Sequence, residues 1–141
     1  MKKILIIGLT AFIMLSCQTN SKPKHSETSD KNETSFDAVP SENVKAFYFH
    51  STRRCNTCVS IEKVVKNTLQ LIYKGDVELK LVNVEEDKNK DILKEYNITS
   101  KTLLLVVNGE QINLTNEAFM YAVSKPEKLK NLIIESLSKT N

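Results

Sequence analysis

The chain lacks several features that would mark it as a member of a particular class of protein. Its 141 residues include no tryptophan and only three cysteines, three prolines and three glycines. The net charge is only +3, and no basic block or aromatic ladder is present, which argues against nucleic-acid binding. No internal repeat is evident, and no apolar run reaches the roughly 20 residues that a membrane-spanning helix needs. A chain of this length accommodates one domain of ordinary size.

The N-terminal segment has the pattern of an export signal. Lys2 and Lys3 precede an uncharged, mostly apolar run from Ile4 to Leu15, which suits a secretory signal. The segment 1–16 is followed by Cys17 and resembles a bacterial lipoprotein signal peptide, whose cysteine becomes the lipid-modified N-terminus of the mature chain. We therefore expect Cys17 to be lipidated. The alternatives are ordinary cleavage, which leaves a free Cys17 thiol, and an uncleaved anchor.

A polar segment follows the export signal. Residues 18–35 contain none of the hydrophobic residue types and mix Ser, Thr, Asn, Lys and Glu. Such a segment buries too little apolar surface to offset the entropy lost when it becomes ordered. The sequence therefore predicts a flexible tether over 17–35 and a folded domain over 36–141. We expect an exported protein anchored to the membrane on the periplasmic or cell-surface side.

The residues that carry chemistry lie in Cys55-Asn56-Thr57-Cys58, between a predicted strand and a predicted helix. Val44–Phe49 is short and rich in aromatic residues, as is typical of a buried strand. After the motif, one helical face is formed by Ile61, Val64, Val65, Thr68, Leu69 and Ile72, which are apolar except for Thr68. Two cysteines separated by two residues at such a junction indicate a redox motif or a metal site.

The rest of the domain alternates between strand and helix patterns. Gly75 is expected to end the first helix as its C-terminal cap. The sequence then predicts a strand over Val77–Val84, a short helix around Ile92–Tyr96, a strand over Thr102–Val107, a turn at Asn108-Gly109, a strand over Gln111–Leu114 and a final helix with Leu129, Leu132, Ile133 and Leu137 on its apolar face. An alternating start followed by a hairpin predicts a mixed sheet.

Four local features in this order resemble the thioredoxin family. They are the CxxC after the first strand, Asn83-Val84-Glu85 at the end of the second, Tyr96-Asn97-Ile98 before the third, and the hairpin Leu103–Glu110. The resemblance covers about residues 44–137. It implies an α/β, thioredoxin-like fold with a central mixed four-stranded sheet flanked by helices, and thiol–disulfide oxidoreductase activity without a cofactor.

The sequence departs from the family pattern at three places. Arg54 stands where the family has tryptophan before the first cysteine, and the motif contains no proline. The strand Ala46–Phe49 lacks the family's buried acid, and Phe47, Tyr48 and Phe49 are expected in the core. Lys101 or a neighbour takes the position of the family's cis-proline. If Lys101 faces the motif, its charge favours thiolate, and Asn56 and Thr57 are expected to tune the redox potential.

The motif predicts different chemical roles for the two thiols. Cys55 would lie at the exposed start of a helix, where the free N–H groups and the neighbouring Arg53 and Arg54 favour a thiolate. Cys55 is therefore predicted to attack partner disulfides, and Cys58, one turn further, to resolve the mixed disulfide. The alternative is a fixed structural disulfide. We expect a monomer whose partners are a disulfide- or thiol-bearing protein and a membrane electron donor or acceptor.

The sequence is also compatible with metal binding and with partner binding without catalysis. His50 is either a partly exposed residue at the strand end, a proton carrier, or the third member of a metal set with Cys55 and Cys58. In the last case the domain would bind or deliver a soft metal such as Cu(I) or Zn(II). A third reading is a thioredoxin-like scaffold that binds partners without turnover.

Overall fold

The computed structural model describes residues 37–138. The predicted signal peptide, the tether with Cys17, Phe36 and the last three residues lie outside the described residues. The domain boundaries inferred from the sequence therefore stay predictions.

Four strands and four helices follow one another in the described range. The strands are β1 Val44–His50, β2 Leu79–Asn83, β3 Thr102–Val107 and β4 Glu110–Asn113, and the helices are α1 Asn56–Tyr73, α2 Lys90–Glu95, α3 Thr115–Tyr121 and α4 Pro126–Ser138. Short 3-10 helices occupy Ser41–Asn43 and Asp87–Asn89. All the predicted strands and helices are present, whereas α3 was not predicted. No helix in this range is both long enough and apolar enough to cross a membrane.

The strands form one mixed sheet in the order β2-β1-β3-β4. β1 and β2 are parallel because α1 connects them as a crossover, and β3 runs antiparallel to both β1 and β4. The turn between β3 and β4 has positive φ at Asn108 (51°) and Gly109 (85°), which matches the twist of a two-residue hairpin. This is a thioredoxin-like α/β fold with a four-stranded mixed sheet flanked by helices, as the resemblance implied.

Helices cover both faces of the sheet. Alternate side chains of β1 point to opposite faces, so Ala46 and Tyr48 pack in the core formed with α1, α3 and α4. Phe47 and Phe49 pack in a second, smaller cluster with Val82, Tyr96, Leu104 and Val106. Every residue of β3 is buried, as expected for a central strand covered on both sides.

The end of α1 differs in detail from the prediction. Lys74, not Gly75, is the capping residue: it adopts the left-handed conformation (φ 53°), and its N–H donates to the carbonyl of Gln70. Gly75 follows with a φ of 110°, a conformation that suits glycine. The chain therefore reverses through two consecutive residues of positive φ.

Candidate active site

Cys55 occupies the N-cap position of α1. Its backbone is extended (φ −87°, ψ 169°), and its Sγ accepts a hydrogen bond from the Cys58 N–H at 3.4 Å. The first N–H groups of a helix have no acceptor within the helix, so a side-chain acceptor at this position satisfies one of them. A sulfur that would carry negative charge as a thiolate therefore sits at the positive end of the helix dipole.

The two sulfurs of the motif are adjacent but differ in access to solvent. Cys55 Sγ and Cys58 Sγ lie 3.0 Å apart without a bond between them. Cys55 is exposed, whereas Cys58 is only 1% exposed. A partner sulfur can therefore approach Cys55, whereas Cys58 is shielded from solvent and lies beside Cys55. This is the asymmetry that an attacking and a resolving thiol require.

Residues from the end of β2 hold the loop that leads into the motif. The Thr52 N–H donates to Glu85 Oε2 at 3.1 Å, and Asn83 Nδ2 donates to Thr52 Oγ1 at 2.9 Å. The backbone of β1 also continues the ladder, because the Val84 N–H donates to the His50 carbonyl at 2.8 Å. The hydrogen bonds from Thr52 lower the pKa of the Glu85 carboxyl.

Glu85 lies exposed in the loop after β2, and its contact with Thr52 was not predicted from the sequence. A signal for the contact was available in the predicted topology. Because β1 and β2 are parallel, their carboxyl ends meet at the same edge of the sheet, and side chains just beyond them become neighbours.

Arg53 and Arg54, which precede the motif, have different environments. Arg53 is exposed. Arg54 pairs with Glu62 on α1, whose other carboxylate oxygen accepts from Lys66 Nζ at 2.7 Å. The Arg54 guanidinium is therefore paired with Glu62. The Nε of Arg54 is buried and has no hydrogen-bond partner among the described residues. The predicted influence of Arg53 and Arg54 on Cys55 stays a prediction.

Several groups act on the buried thiol. Burial raises the pKa of Cys58, but the Cys55 sulfur, the Tyr48 hydroxyl and the positive charge of Lys101 lower it by more, so the net pKa lies below the usual value. Lys101 also lowers the pKa of Glu85. Lys101 therefore acts electrostatically on the motif from the loop before β3, and Asn56 and Thr57 form the first turn of α1 between the two cysteines.

Tyr48 is in the core, as predicted, but it also approaches the motif. The side chain is 0% exposed. Its hydroxyl makes no regular hydrogen bond with any described residue, but it lowers the pKa of the Cys58 thiol, which is buried in the same core cluster. Sequence reasoning assigned this residue to packing alone.

His50 does not join the cysteines in a metal site. Its Nδ1 lies 3.0 Å from the Ser51 carbonyl, and its ring lies 6.1 Å from that of Tyr48. Within residues 37–138, no three side chains of His, Cys, Asp or Glu are grouped so that they could hold a metal ion. The set of Cys55, Cys58 and His50, considered from the sequence as an alternative, is therefore not assembled.

Comparison with known proteins gives matches among solved structures alone. No protein-family model matches the chain, and no curated protein matches it. A mutant thioredoxin from Halobacterium salinarum NRC-1 is 25% identical over 70% of this chain and 78% of its own, with a TM-score of 0.46. Thioredoxin O1 from Arabidopsis thaliana is 27% identical over 72% and 84%, with a TM-score of 0.46. Thioredoxin O2 from the same plant is 22% identical over 72% and 81%, with a TM-score of 0.49.

The pair of Arg54 and Glu62 makes a pH-dependent contribution to stability. Partial burial raises the pKa of Glu62, but Lys66 and Arg54 lower it by more. A carboxyl group whose pKa is lowered on folding stabilises the fold above its unfolded pKa of about 4.3, and this contribution is lost as the pH falls through the folded pKa. Glu62→Gln should lower the free energy of unfolding by about 1 kcal/mol at pH 7 and by less in acid. Urea unfolding of the native chain and of Glu62→Gln, at pH 7 and in acid, measures this difference in the free energy of unfolding.

A matched control is available on α4. Glu127 pairs with Lys130 at 3.0 Å, but its side chain is 79% exposed, so Glu127→Gln should change stability little at either pH. Equal losses in the two variants, or a loss in Glu62→Gln that does not depend on pH, would contradict the assignment.

Proposed function

We propose that this chain is a thiol–disulfide oxidoreductase that acts outside the cytoplasm through Cys55 and Cys58. The observation that carries the proposal is the pair of sulfurs 3.0 Å apart at the N-terminus of α1, one exposed and one buried. The fold is of the kind that thiol–disulfide oxidoreductases use, which supports the same class of activity.

The reaction follows from the positions of the two thiols. The Cys55 thiolate attacks one sulfur of a partner disulfide, forms a mixed disulfide, and releases the other sulfur as a thiolate that takes a proton. Cys58 then loses its proton and attacks Cys55 Sγ. The Cys55–Cys58 bond forms, the bond to the partner breaks, and the second partner sulfur leaves as a thiolate. The partner gains two electrons, and the cysteine pair becomes a disulfide.

The reverse sequence oxidises a partner dithiol. In either direction the pair has to be reset by a second thiol or disulfide couple, and we propose that a membrane electron donor or acceptor supplies it. The substrates are protein or small-molecule disulfides or thiols that reach Cys55 at the exposed end of the site. The soft-metal alternative has no comparable support, because the described residues do not group a third ligand with the two cysteines.

We also propose that lipid-modified Cys17 anchors the domain to the membrane. The proposal is supported by the signal-like segment 1–16, by the position of Cys17 directly after it, and by the polar composition of the segment up to residue 35. Lipidation of Cys17 would leave Cys55 and Cys58 as the only free thiols of the mature chain, which suits an oxidising compartment.

Replacing the resolving thiol should trap partners. In the full-length chain, Cys58→Ala leaves Cys55 able to form mixed disulfides that cannot be resolved internally. Covalent adducts should accumulate on nonreducing gels of cell-envelope extracts, disappear on reduction, and map to Cys55 by peptide mass spectrometry. Cys55→Ala is the control, because the buried Cys58 that remains is inaccessible to partners. The proposal fails if Cys58→Ala captures no thiol partner, or if both variants capture the same adducts.

The anchor is tested on the same full-length chain in a bacterial host. Mass spectrometry of the membrane-extracted protein should find an N-terminus at Cys17 carrying the mass of acyl chains. Cys17→Ser should move the protein out of the membrane fraction and leave Cys55 and Cys58 unchanged. An unmodified Cys17 in the native protein would rule out the lipid anchor without affecting the redox assignment.

A further inference from the structure

The hydroxyl of Tyr48 is a buried donor without an ordinary acceptor. Tyr48 lies in the middle of β1, on the sheet face that α1 covers, and its side chain is 0% exposed. The hydroxyl oxygen is excluded from solvent, and no described residue forms a regular hydrogen bond with it. A buried O–H without an acceptor costs free energy, and a charged acceptor beside it would offset that cost.

Cys58 is the group that can provide that interaction. It is buried in the same core cluster as Tyr48, on the first turn of the helix that covers this part of β1. The two side chains affect each other, because Tyr48 lowers the pKa of Cys58 and Cys58 raises that of Tyr48. A neutral thiol is a weak acceptor, whereas a thiolate is a strong one. The unused donor therefore gains an acceptor when Cys58 ionises.

We propose that Tyr48 is a positioning residue for the redox pair, and that its O–H donates to the buried sulfur of Cys58 whenever that sulfur carries negative charge. This inference rests on the proposed function and names the residue that controls the charge on Cys58. Tyr48 is not part of the CxxC sequence, and only the folding of β1 against α1 brings it into the same cluster as Cys58.

The Tyr48 O–H acts in the step that forms or breaks the Cys55–Cys58 bond. In the mixed disulfide, the Cys58 thiolate attacks Cys55 Sγ, the Cys55–Cys58 bond forms, and the partner sulfur leaves with the electron pair. In the reverse direction the Cys55–Cys58 bond breaks, and Cys58 is the leaving thiolate. Tyr48 keeps its proton throughout, because burial raises its pKa far above the ordinary value. It therefore stabilises charge on Cys58 without acting as a base.

Other charged groups around the two side chains have separate effects. Cys55 and Lys101 act on Cys58, and Arg54 lowers the pKa of Tyr48, opposing the effects of burial and of the two cysteines. None of them is removed when the Tyr48 hydroxyl alone is deleted. Tyr48→Phe therefore isolates the proposed hydrogen bond while it retains the buried ring.

The experiment compares Tyr48→Phe with Tyr73→Phe in the full-length chain. Tyr73 is also buried, and its hydroxyl has no hydrogen-bond partner within residues 37–138, but it ends α1, 15 residues after Cys58, which is roughly 22 Å along the helix. Thiolate absorbance is titrated in both variants, with the cysteines of the motif distinguished by Cys55→Ala and Cys58→Ala backgrounds. Tyr48→Phe should reduce the ionisation constant of Cys58 on the order of tenfold. Tyr73→Phe should leave the titration unchanged.

The reduction potential of the Cys55–Cys58 pair gives a second readout. The donor stabilises the reduced, ionised form, so its removal should make the pair more reducing at a pH where Cys58 is ionised in the native chain. An unchanged Cys58 titration in folded Tyr48→Phe overturns the inference, as does an equal change in Tyr73→Phe.

A measurement on the native hydroxyl covers the case in which Tyr48→Phe does not fold. The NMR shift of the Tyr48 Cζ carbon should follow the thiol titration in the native chain and lose that dependence in Cys58→Ala. A shift that is independent of Cys58 overturns the inference. Failure of the proposed function looks different: Cys58→Ala would trap no partner, although the coupling between Tyr48 and Cys58 would still be measured.

Discussion

The hydrogen bond from the Cys58 N–H to Cys55 Sγ is the interaction on which the site depends. A helix start needs an acceptor for its free N–H groups, and here the acceptor is the sulfur that solvent can reach. The same turn of helix places Cys58 inside the core, with its Sγ 3.0 Å from the Sγ of Cys55. Capping, exposure of one thiol and burial of the other therefore follow from one local geometry.

The rest of the domain fixes this helix start in space. β1 delivers the chain to the motif, and its parallel pairing with β2 places Asn83 and Glu85 beside the loop, where they bind Thr52. Arg54 reaches forward to Glu62 and joins the loop to the second turn of α1. β3 is buried on both faces and forms the centre of the sheet behind these contacts. Tyr48 of β1 and Cys58 are buried in the same core cluster.

Local patterns in the sequence were enough to predict most of the fold. The strand over Thr102–Val107 was predicted with its observed bounds, because it is a continuous apolar run followed by a turn with residues that tolerate positive φ. Helix α3 was not predicted: it is seven residues long and begins after Leu114 without a side-chain cap, so it leaves little signal of its own. Gly75 was predicted to cap α1, whereas Lys74 takes the left-handed conformation.

The site was less predictable because its decisive contacts are tertiary. The CxxC and its position at a helix start could be inferred from spacing, but the pairing of Arg54 with Glu62 depends on a side chain turning away from the motif. The contact between Thr52 and Glu85 joins residues 33 positions apart in the sequence. Likewise, the sequence does not indicate that Tyr48, an aromatic residue in a core strand, would be buried in the same cluster as Cys58.

The most direct test of the redox assignment is the reduction potential of the Cys55–Cys58 pair, measured in the full-length chain against buffers of reduced and oxidised glutathione, with both thiols followed by mass spectrometry. We expect a reversible two-electron equilibrium with a potential above about −300 mV, because the pair has one exposed sulfur and should be labile. A bond that stays oxidised well below that value would identify a structural disulfide. A pair that never forms the bond would contradict the redox function.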